Sequence, residues 1–131
     1  NRLEEYKQRK ENRNQMKIRG ITTPFKSINN TGTGFIPGEL ISIFARPSVG
    51  KTWMGVLVAA IAASKNHRIV FVTPEMTNDE VSYRIDVVLG RLEGYNFSHY
   101  GLTRGQGVNE DEYKSFLNSS NARNLLMGYI Y

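Results

Sequence analysis

The stretch ARPSVGKT, residues 45–52, decides the fold of this chain. It has the form of a Walker A phosphate-binding loop in which alanine takes the position of the first glycine. Such a loop functions between a strand and a helix, because the amide groups at the helix N-terminus then converge on phosphate oxygens. The sequences on its two sides therefore decide whether the motif has its structural context.

The sequences on the two sides of the loop predict the elements that the motif requires, a strand before it and a helix after it. Residues 39–44 (ELISIF) are rich in β-forming apolar residues and predict a buried strand. From Lys51 the sequence is alanine-rich and apolar on nearly every side, which predicts a buried helix that ends near Asn66. The loop is thus predicted to join a strand to the N-terminus of a helix.

A second strand and a second helix are predicted next. Residues 68–73 (RIVFVT) lack polar alternation, which indicates a parallel strand covered on both faces. Thr77 and Glu80 match a capping box, and apolar residues recur at helical spacing from there to Leu92. Residues 93–107 are interpreted as a loop.

The C-terminal part of the chain predicts a third helix and a third strand. Residues 109–112 (NEDE) place acidic side chains where they favour a helix N-terminus, and residues 125–131 predict a strand. The order of elements predicts an α/β fold, with a partial parallel sheet flanked by helices and right-handed crossovers.

The first residues are basic and polar. Residues 1–20 contain seven basic and three acidic side chains, a local charge of +4, whereas the whole chain carries +5. Residues 1–17 lack glycine and proline, which predicts a helix without a core face of its own. A solvated helix and attraction to nucleic acid both fit this charge. Residues 20–38 predict an irregular connector with at most one short turn.

Length and composition exclude several classes of protein. The chain has 131 residues, enough for one compact domain, and 40% of them are hydrophobic, as in globular proteins. It contains no cysteine, which excludes disulfides, thiolate zinc sites and thiol nucleophiles. The longest apolar stretch, residues 53–63, is about half the length that crosses a bilayer. These features predict a soluble protein without membrane contact, and the lack of cysteine is compatible with the cytoplasm.

The loop residues predict a triphosphate site. Gly50 allows close approach of the backbone, Lys51 would place its charge against the β- and γ-phosphates, and the Thr52 hydroxyl would be a ligand of Mg²⁺. The predicted phosphate-binding residues are Arg46, Pro47, Ser48, Val49, Gly50, Lys51 and Thr52.

Glu75 follows the second predicted strand. Because ligands of open parallel sheets lie beyond the carboxyl ends of the strands, Glu75 should face the same crevice as the phosphate loop and could polarise water. Position alone also allows Glu75 to favour the positive end of the following helix. Two further residues are open to interpretation. Arg46 could contact a phosphate, an acid on a neighbour or only solvent, and Trp53 is assigned to the core in preference to a platform for adenine.

Several stretches together resemble the RecA-like motor domain of the DnaB family of replicative hexameric helicases. The resemblance covers about residues 18–92 and is carried by GITTPF (20–25) with Ile28-Asn29, GFIPGEL (34–40), the phosphate loop and TPEM (73–76). Pro24 and Asn29 stand where the family usually has glycine and aspartate.

The resemblance implies a RecA-like P-loop NTPase core that uses ATP and Mg²⁺. Lys51 and Glu75 would be catalytic, with Glu75 as the general base for the attacking water, and Thr52 would hold the metal. Residues 1–19 would form the basic linker helix that packs on a neighbouring subunit, and residues 20–131 the N-terminal part of the ATPase domain.

At the level of the whole protein, the resemblance implies an ATP-dependent DNA helicase that assembles as a hexameric ring. It would couple ATP hydrolysis to translocation on single-stranded DNA and to duplex unwinding, with other replication proteins as further partners. Its location would be the cytoplasm of a bacterial or phage-infected cell. The family's Walker B aspartate, DNA-binding loops and arginine finger would follow Tyr131, so the chain alone should be incomplete for catalysis.

Three alternatives have different chemistry. A RecA- or KaiC-like ATPase would hydrolyse ATP without unwinding DNA. An assembly module would keep its nucleotide as a structural element and dock its basic leader on a partner. A small-molecule P-loop kinase is disfavoured, because 44 residues precede the phosphate loop and such kinases usually begin almost at that loop.

Overall fold

The computed structural model describes residues 1–15, 17–119 and 122, together with the backbone of residues 125–128. The chain divides into two compact units, residues 1–44 and 45–131. None of the described helices is long and apolar enough to span a bilayer. The described helices and strands, in chain order, are α1 (Arg2–Asn14), α2 (Lys26–Asn29), α3 (Lys51–Ser64), β1 (Ile69–Val72), α4 (Asn78–Leu92), α5 (His99–Arg104), α6 (Glu110–Leu117) and β2 (Leu125–Gly128).

Helix α1 is the helix predicted over residues 1–17, and it buries none of its residues. The Asn1 side chain caps it by accepting a hydrogen bond from the Leu3 amide (3.2 Å). Glu5 and Arg9 form an exposed ion pair one turn apart (3.6 Å). Surface pairs of this kind add little stability, so α1 matches the prediction of a helix without its own core.

The connector contains the single short turn that was predicted, α2, and one side chain organises the approach to it. The Asn29 amide donates to the Thr23 carbonyl (2.8 Å), while its Oδ1 accepts from the Thr23 amide and hydroxyl (3.0 Å each). Thr23 is buried by this arrangement. A carboxylate at position 29 would lack the donor to the Thr23 carbonyl, so asparagine satisfies one more backbone group here.

Two helices form the centre of the second unit. Helix α3 is apolar on nearly all sides, as predicted, and packs along α4. Thr77 and Glu80 form the predicted capping box, each side chain bonding to the other residue's amide. The residues buried in the core cluster are Val56, Ala60 and Ala63 of α3, Val81, Ile85 and Leu89 of α4, and Phe97, Leu102 and Phe116.

The two strands pair in parallel, with Ile69 opposite Leu125. The strands predicted over residues 68–73 and 125–131 are thus present, although residues 129–131 lie outside the described part of the chain. The prediction that both faces of β1 are covered is wrong. Val70 is 67% exposed and Val72 44% exposed, because α3 packs on the face that carries the other two side chains.

The buried strand predicted over residues 39–44 is also absent. This segment has no regular secondary structure, and Leu40 and Phe44 are 93% and 91% exposed. Strand propensity is realised only through a hydrogen-bonded neighbour and side-chain packing. Neither described strand pairs with this segment, so its apolar character does not produce a strand.

The predicted third helix is α6, which the Asn109 side chain caps by accepting from the amides of Asp111 and Glu112. Helix α5, by contrast, was assigned to a loop. It has only six residues and begins at a Ser98 cap. Too few apolar positions fall within such a length to produce a helical period, so sequence pattern does not detect it.

A buried carboxyl group links α4 to α6. Asp86 is 9% exposed, and the Tyr113 hydroxyl donates a hydrogen bond to its Oδ2 (2.6 Å). Burial raises the pKa of Asp86 from 3.8 to about 6, against the opposing effect of the Tyr113 hydrogen bond. The pKa of Tyr113 is also raised, first by burial and then by its proximity to this carboxylate.

We predict that Asp86 makes stability fall as pH rises. Between pH 3.8 and about 6 the folded chain binds more protons than the unfolded chain, so ionisation of Asp86 opposes folding above this window. Relative to Asp86→Asn, the wild type should lose a few kcal/mol of unfolding free energy between about pH 4 and about pH 7, at ~1.4 kcal/mol per pKa unit. Urea unfolding gives the free energy of unfolding of both proteins at each pH. A difference between the two free energies that stays constant with pH would contradict the prediction.

Candidate functional site

The loop of residues 45–52 has an unusual backbone. Ser48 has a φ of 61° and Gly50 a φ of 103°, both in the left-handed region. Only glycine adopts the latter value without strain, and a non-glycine residue at positive φ is uncommon outside functional loops. Gly50 is the N-cap of α3, and its carbonyl accepts the first hydrogen bond of the helix, from the Met54 amide (3.0 Å).

The loop presents positive charge at the start of α3. The first amides of a helix have no partner within the helix and form the positive end of its dipole. Lys51 is the first residue of α3 and is exposed, and its Nζ donates to the Ala45 carbonyl at the other end of the loop (3.2 Å). An ammonium group and free amides are therefore held together, which is the arrangement that binds phosphate oxygens.

A cavity of about 450 Å³ opens in front of this loop. This volume lies within the range of small-molecule sites. A second cavity of about 240 Å³ also contains Lys51, Thr52 and Glu75 in its lining. The residues that line the larger cavity are Pro47, Ser48, Gly50, Lys51, Thr52, Trp53, Glu75 and Arg84.

The structure thus brings most of the predicted site residues together. Glu75 lies at the same cavity as the phosphate loop, as its position after a parallel strand suggested. Arg46 and Val49 do not belong to the cavity lining. Both side chains are exposed, and the Arg46 carbonyl accepts a long hydrogen bond from the Val49 amide (3.4 Å) that closes the turn.

Glu75 lies in a turn that is closed by the buried hydroxyl of Thr73. Thr73 is 5% exposed, and its Oγ1 donates to the Met76 carbonyl and accepts from the Met76 amide (3.1 Å each). Glu75 lies within this turn with its side chain exposed at the cavity. The cap of α4 is formed by Thr77 and Glu80, so Glu75 is not required to begin that helix.

Two residues of the cavity were not identified as site residues from the sequence. Trp53 was assigned to the core, but it is 40% exposed and lines the cavity beside Arg84 of α4. The Arg84 guanidinium lies over the Trp53 ring, 5.1 Å from its centroid. The spacing of residues along α4 does not reveal this contact, since it depends on how α3 packs against α4.

Metal ligands in this site would be few. In the described part of the chain, no group of three or more histidine, cysteine, aspartate or glutamate side chains could hold a metal ion. The half-buried Thr52 hydroxyl lies beside Lys51 in the cavity. One protein oxygen together with phosphate oxygens and water is the usual environment of Mg²⁺ in nucleotide sites, so these residues fit that ion.

Comparison with known proteins places the chain in a family. A family model described as DnaB-like helicase C terminal domain matches residues 20–125, which include the whole loop and Glu75. No solved structure matches the chain significantly.

Three curated relatives illustrate the extent of the similarity. The replicative DNA helicase DnaB of Mycoplasma genitalium is 32% identical over 121 residues, which cover 89% of this chain and 25% of the relative. That of Geobacillus stearothermophilus is 32% identical over 87 residues (66% and 19%). That of Treponema pallidum is 40% identical over 67 residues (50% and 15%). The chain spans a quarter or less of the length of these relatives.

Proposed function

Because this chain belongs to the family of DnaB-like helicase C-terminal domains, we propose that it is the nucleotide-binding part of a replicative DNA helicase, built on a RecA-like P-loop core. One observation supports the proposal most strongly: the phosphate loop and Glu75 come from separate segments and line one cavity. The ligand of that cavity is ATP with Mg²⁺.

The loop residues bind the triphosphate. Backbone amides over residues 46–52 surround the phosphate oxygens, and Lys51 adds a full positive charge. To do so, its Nζ gives up its hydrogen bond to the Ala45 carbonyl and donates to phosphate oxygens instead. The exchange is favourable because the phosphate oxygens are charged acceptors and the carbonyl is neutral. The Thr52 hydroxyl is the protein ligand of Mg²⁺, which neutralises phosphate charge when it is bound.

Glu75 acts in hydrolysis. A carboxylate at the cavity, opposite a bound phosphate, accepts a proton from the attacking water and orients it. The turn closed by Thr73 holds Glu75 in place, and the capping of α4 does not use its carboxylate. These contacts favour the catalytic role over the role of a helix-initiating acid.

The activity of the whole protein requires more than this chain, which covers 25% of the Mycoplasma relative. We propose that the complete protein forms a hexameric ring, translocates on single-stranded DNA with ATP hydrolysis, and works with other replication proteins in the cytoplasm. Helix α1, with no buried residue of its own, is the linker helix that packs on a neighbouring subunit. DNA-stimulated ATPase activity separates this proposal from a RecA- or KaiC-like ATPase or an assembly module.

We predict that Lys51→Ala abolishes binding of Mg·ATP and preserves the fold, because Lys51 is exposed at the first position of α3. Lys65→Ala is the matched control, since Lys65 is an exposed lysine at the other end of the same helix. Isothermal titration calorimetry gives both affinities. Equal ATP affinity in Lys51→Ala and wild type would refute the assignment of the phosphate loop.

Glu75→Gln is expected to separate binding from hydrolysis. In the complete protein, ATP binding should be kept or tightened, because a negative charge near the triphosphate is removed. ATP turnover should fall ~10²-fold or more, as for loss of a general base. Glu112→Gln, at an exposed acid on α6, should change neither quantity. Unchanged turnover in Glu75→Gln would mean that another acid activates the water.

A further inference from the structure

A groove in the first unit of the chain runs along α1, and the proposed function gives it no role. It consists of two adjacent cavities of about 150 Å³ and about 440 Å³, both within residues 1–44. Arg9, Asn12 and Arg19 line both cavities, so the two form one continuous surface, the basic groove. The charged residues that line the basic groove are Glu5, Arg9, Arg13, Lys17 and Arg19.

The cations of the basic groove lack matching acids. Glu5 is the single acid among the described lining residues, and it pairs with Arg9 (3.6 Å). In the part of the chain that the structure describes, Arg13, Lys17 and Arg19 form no ion pair, and all three are exposed. Four cations against one acid leave the basic groove with a net charge of +3. An anion from outside this unit would therefore be attracted to it.

Three of the cations form a row along α1. Arg9, Arg13 and Lys17 are spaced four residues apart, and all three line the smaller cavity. On a helix this spacing gives steps of ~6 Å along one side. Like charges four residues apart destabilise a helix, and the helix dipole favours a cation only in the last turn, where Arg13 lies. The row as a whole is thus not explained by the stability of α1.

The fourth cation comes from the connector and is held in place by its backbone. The Arg19 amide donates to the Gly32 carbonyl (2.9 Å), and the Arg19 carbonyl accepts from the Gly34 amide (2.7 Å). These bonds fix Arg19 beside the hydroxyls of Thr31 and Thr33, which lie 2.8 Å apart and line the same cavity. Since the connector adds a cation and uncharged polar groups but no acid, the positive charge extends across the groove.

We propose that the basic groove binds the phosphate backbone of single-stranded DNA. The identity of this polymer rests on the proposed function, since a replicative helicase acts on DNA. A row of cations suits a polyanion, because each phosphate that is neutralised releases counterions. Arginine, which supplies three of the four cations, forms paired hydrogen bonds with phosphate oxygens.

The composition of the groove also indicates how the DNA is recognised. No aromatic side chain lines it in the described part of the chain, so the bases have no stacking platform there. Contacts to phosphate alone carry no sequence information. The basic groove therefore binds DNA without regard to its sequence.

This role leaves the apolar residues of α1 available for the proposed contact with a neighbouring subunit. Leu3 and Tyr6 are 57% and 62% exposed, and neither lines the basic groove. The helix thus offers separate residues to the subunit and to the DNA.

Binding of a fluorescein-labelled oligothymidine to the chain, measured by anisotropy over a range of salt concentrations, tests the proposal. The groove variant, Arg13→Gln/Lys17→Gln/Arg19→Gln, should lose about tenfold or more in affinity at low salt. The slope of log K against log salt should fall by about 2, because each phosphate contact on a single strand contributes about 0.7. An oligonucleotide of mixed sequence should behave in the same way.

A matched variant separates the groove from the net charge of α1. Arg2→Gln/Lys7→Gln/Lys10→Gln removes the same charge from exposed residues that do not line the groove, and it should change the slope by less than one contact contributes. If the groove variant does not fold, Arg19→Gln alone should lower the slope by about 0.7. Lys26→Gln, at an exposed lysine of α2 outside the groove, is its control and should leave the slope unchanged.

Three results would overturn the proposal: no binding of DNA by the wild type, equal losses in the two triple variants, or an oligoglutamate that binds as tightly as DNA and is lost in the groove variant. The last result would assign the groove to an acidic protein segment. The proposed function is tested separately, because the groove variant should keep its affinity for Mg·ATP. If Lys51→Ala loses Mg·ATP but the groove variant keeps the wild-type slope, the phosphate loop stands and the groove does not bind DNA. If Lys51→Ala keeps Mg·ATP, the loop is wrongly assigned, whatever the groove binds.

Discussion

The apolar packing of α3 against α4 holds the two walls of the cavity in position. Helix α3 contributes Val56 and two alanines to this contact, and α4 contributes Ile85 and its apolar neighbours. Small side chains on α3 let the helix axes approach closely, so that the first turn of α3 lies next to the middle of α4. Lys51, Thr52 and Trp53 occupy that turn, and Arg84 directly precedes Ile85. The site is therefore built on rigid helices and not on loops alone.

The charged residues of the cavity come from two parts of the chain, the loop with the start of α3 and the segment after β1. The part formed by the loop and the first turn of α3 is positive, because it contains the Lys51 ammonium group and the free amides of the helix N-terminus, and it suits binding of phosphate. The segment after β1 contributes one acid, Glu75, and one cation, Arg84, to the same cavity. No ion pair joins Glu75 and Arg84 in the described part of the chain, so with Lys51 the charged groups of the cavity leave an excess of one positive charge.

Local patterns were reliable where a short-range interaction determines the structure. The start of α3 at Lys51, the capping box at Thr77 and the acidic start of α6 depend on residues within a few positions of one another, and all three were predicted from the sequence. The prediction of a strand over residues 39–44 was wrong because a strand depends on pairing with a partner outside its own segment. The contact of Arg84 with Trp53 depends on helix packing across more than 30 positions, and no local pattern encodes it. Of the three charged residues that line the cavity, Lys51 and Glu75 were therefore predictable from the sequence, and Arg84 was not.

The central claim is that the N-terminus of α3 is where this chain binds triphosphate. Titration of the ¹⁵N-labelled chain with Mg·ATP, followed by amide chemical shifts, tests it directly. We predict that the largest changes fall on residues 48–52 and 75, with little change in α1. Changes concentrated on the basic residues of α1, with residues 48–52 unaffected, would show that surface charge attracts phosphate and that the N-terminus of α3 is not the binding site.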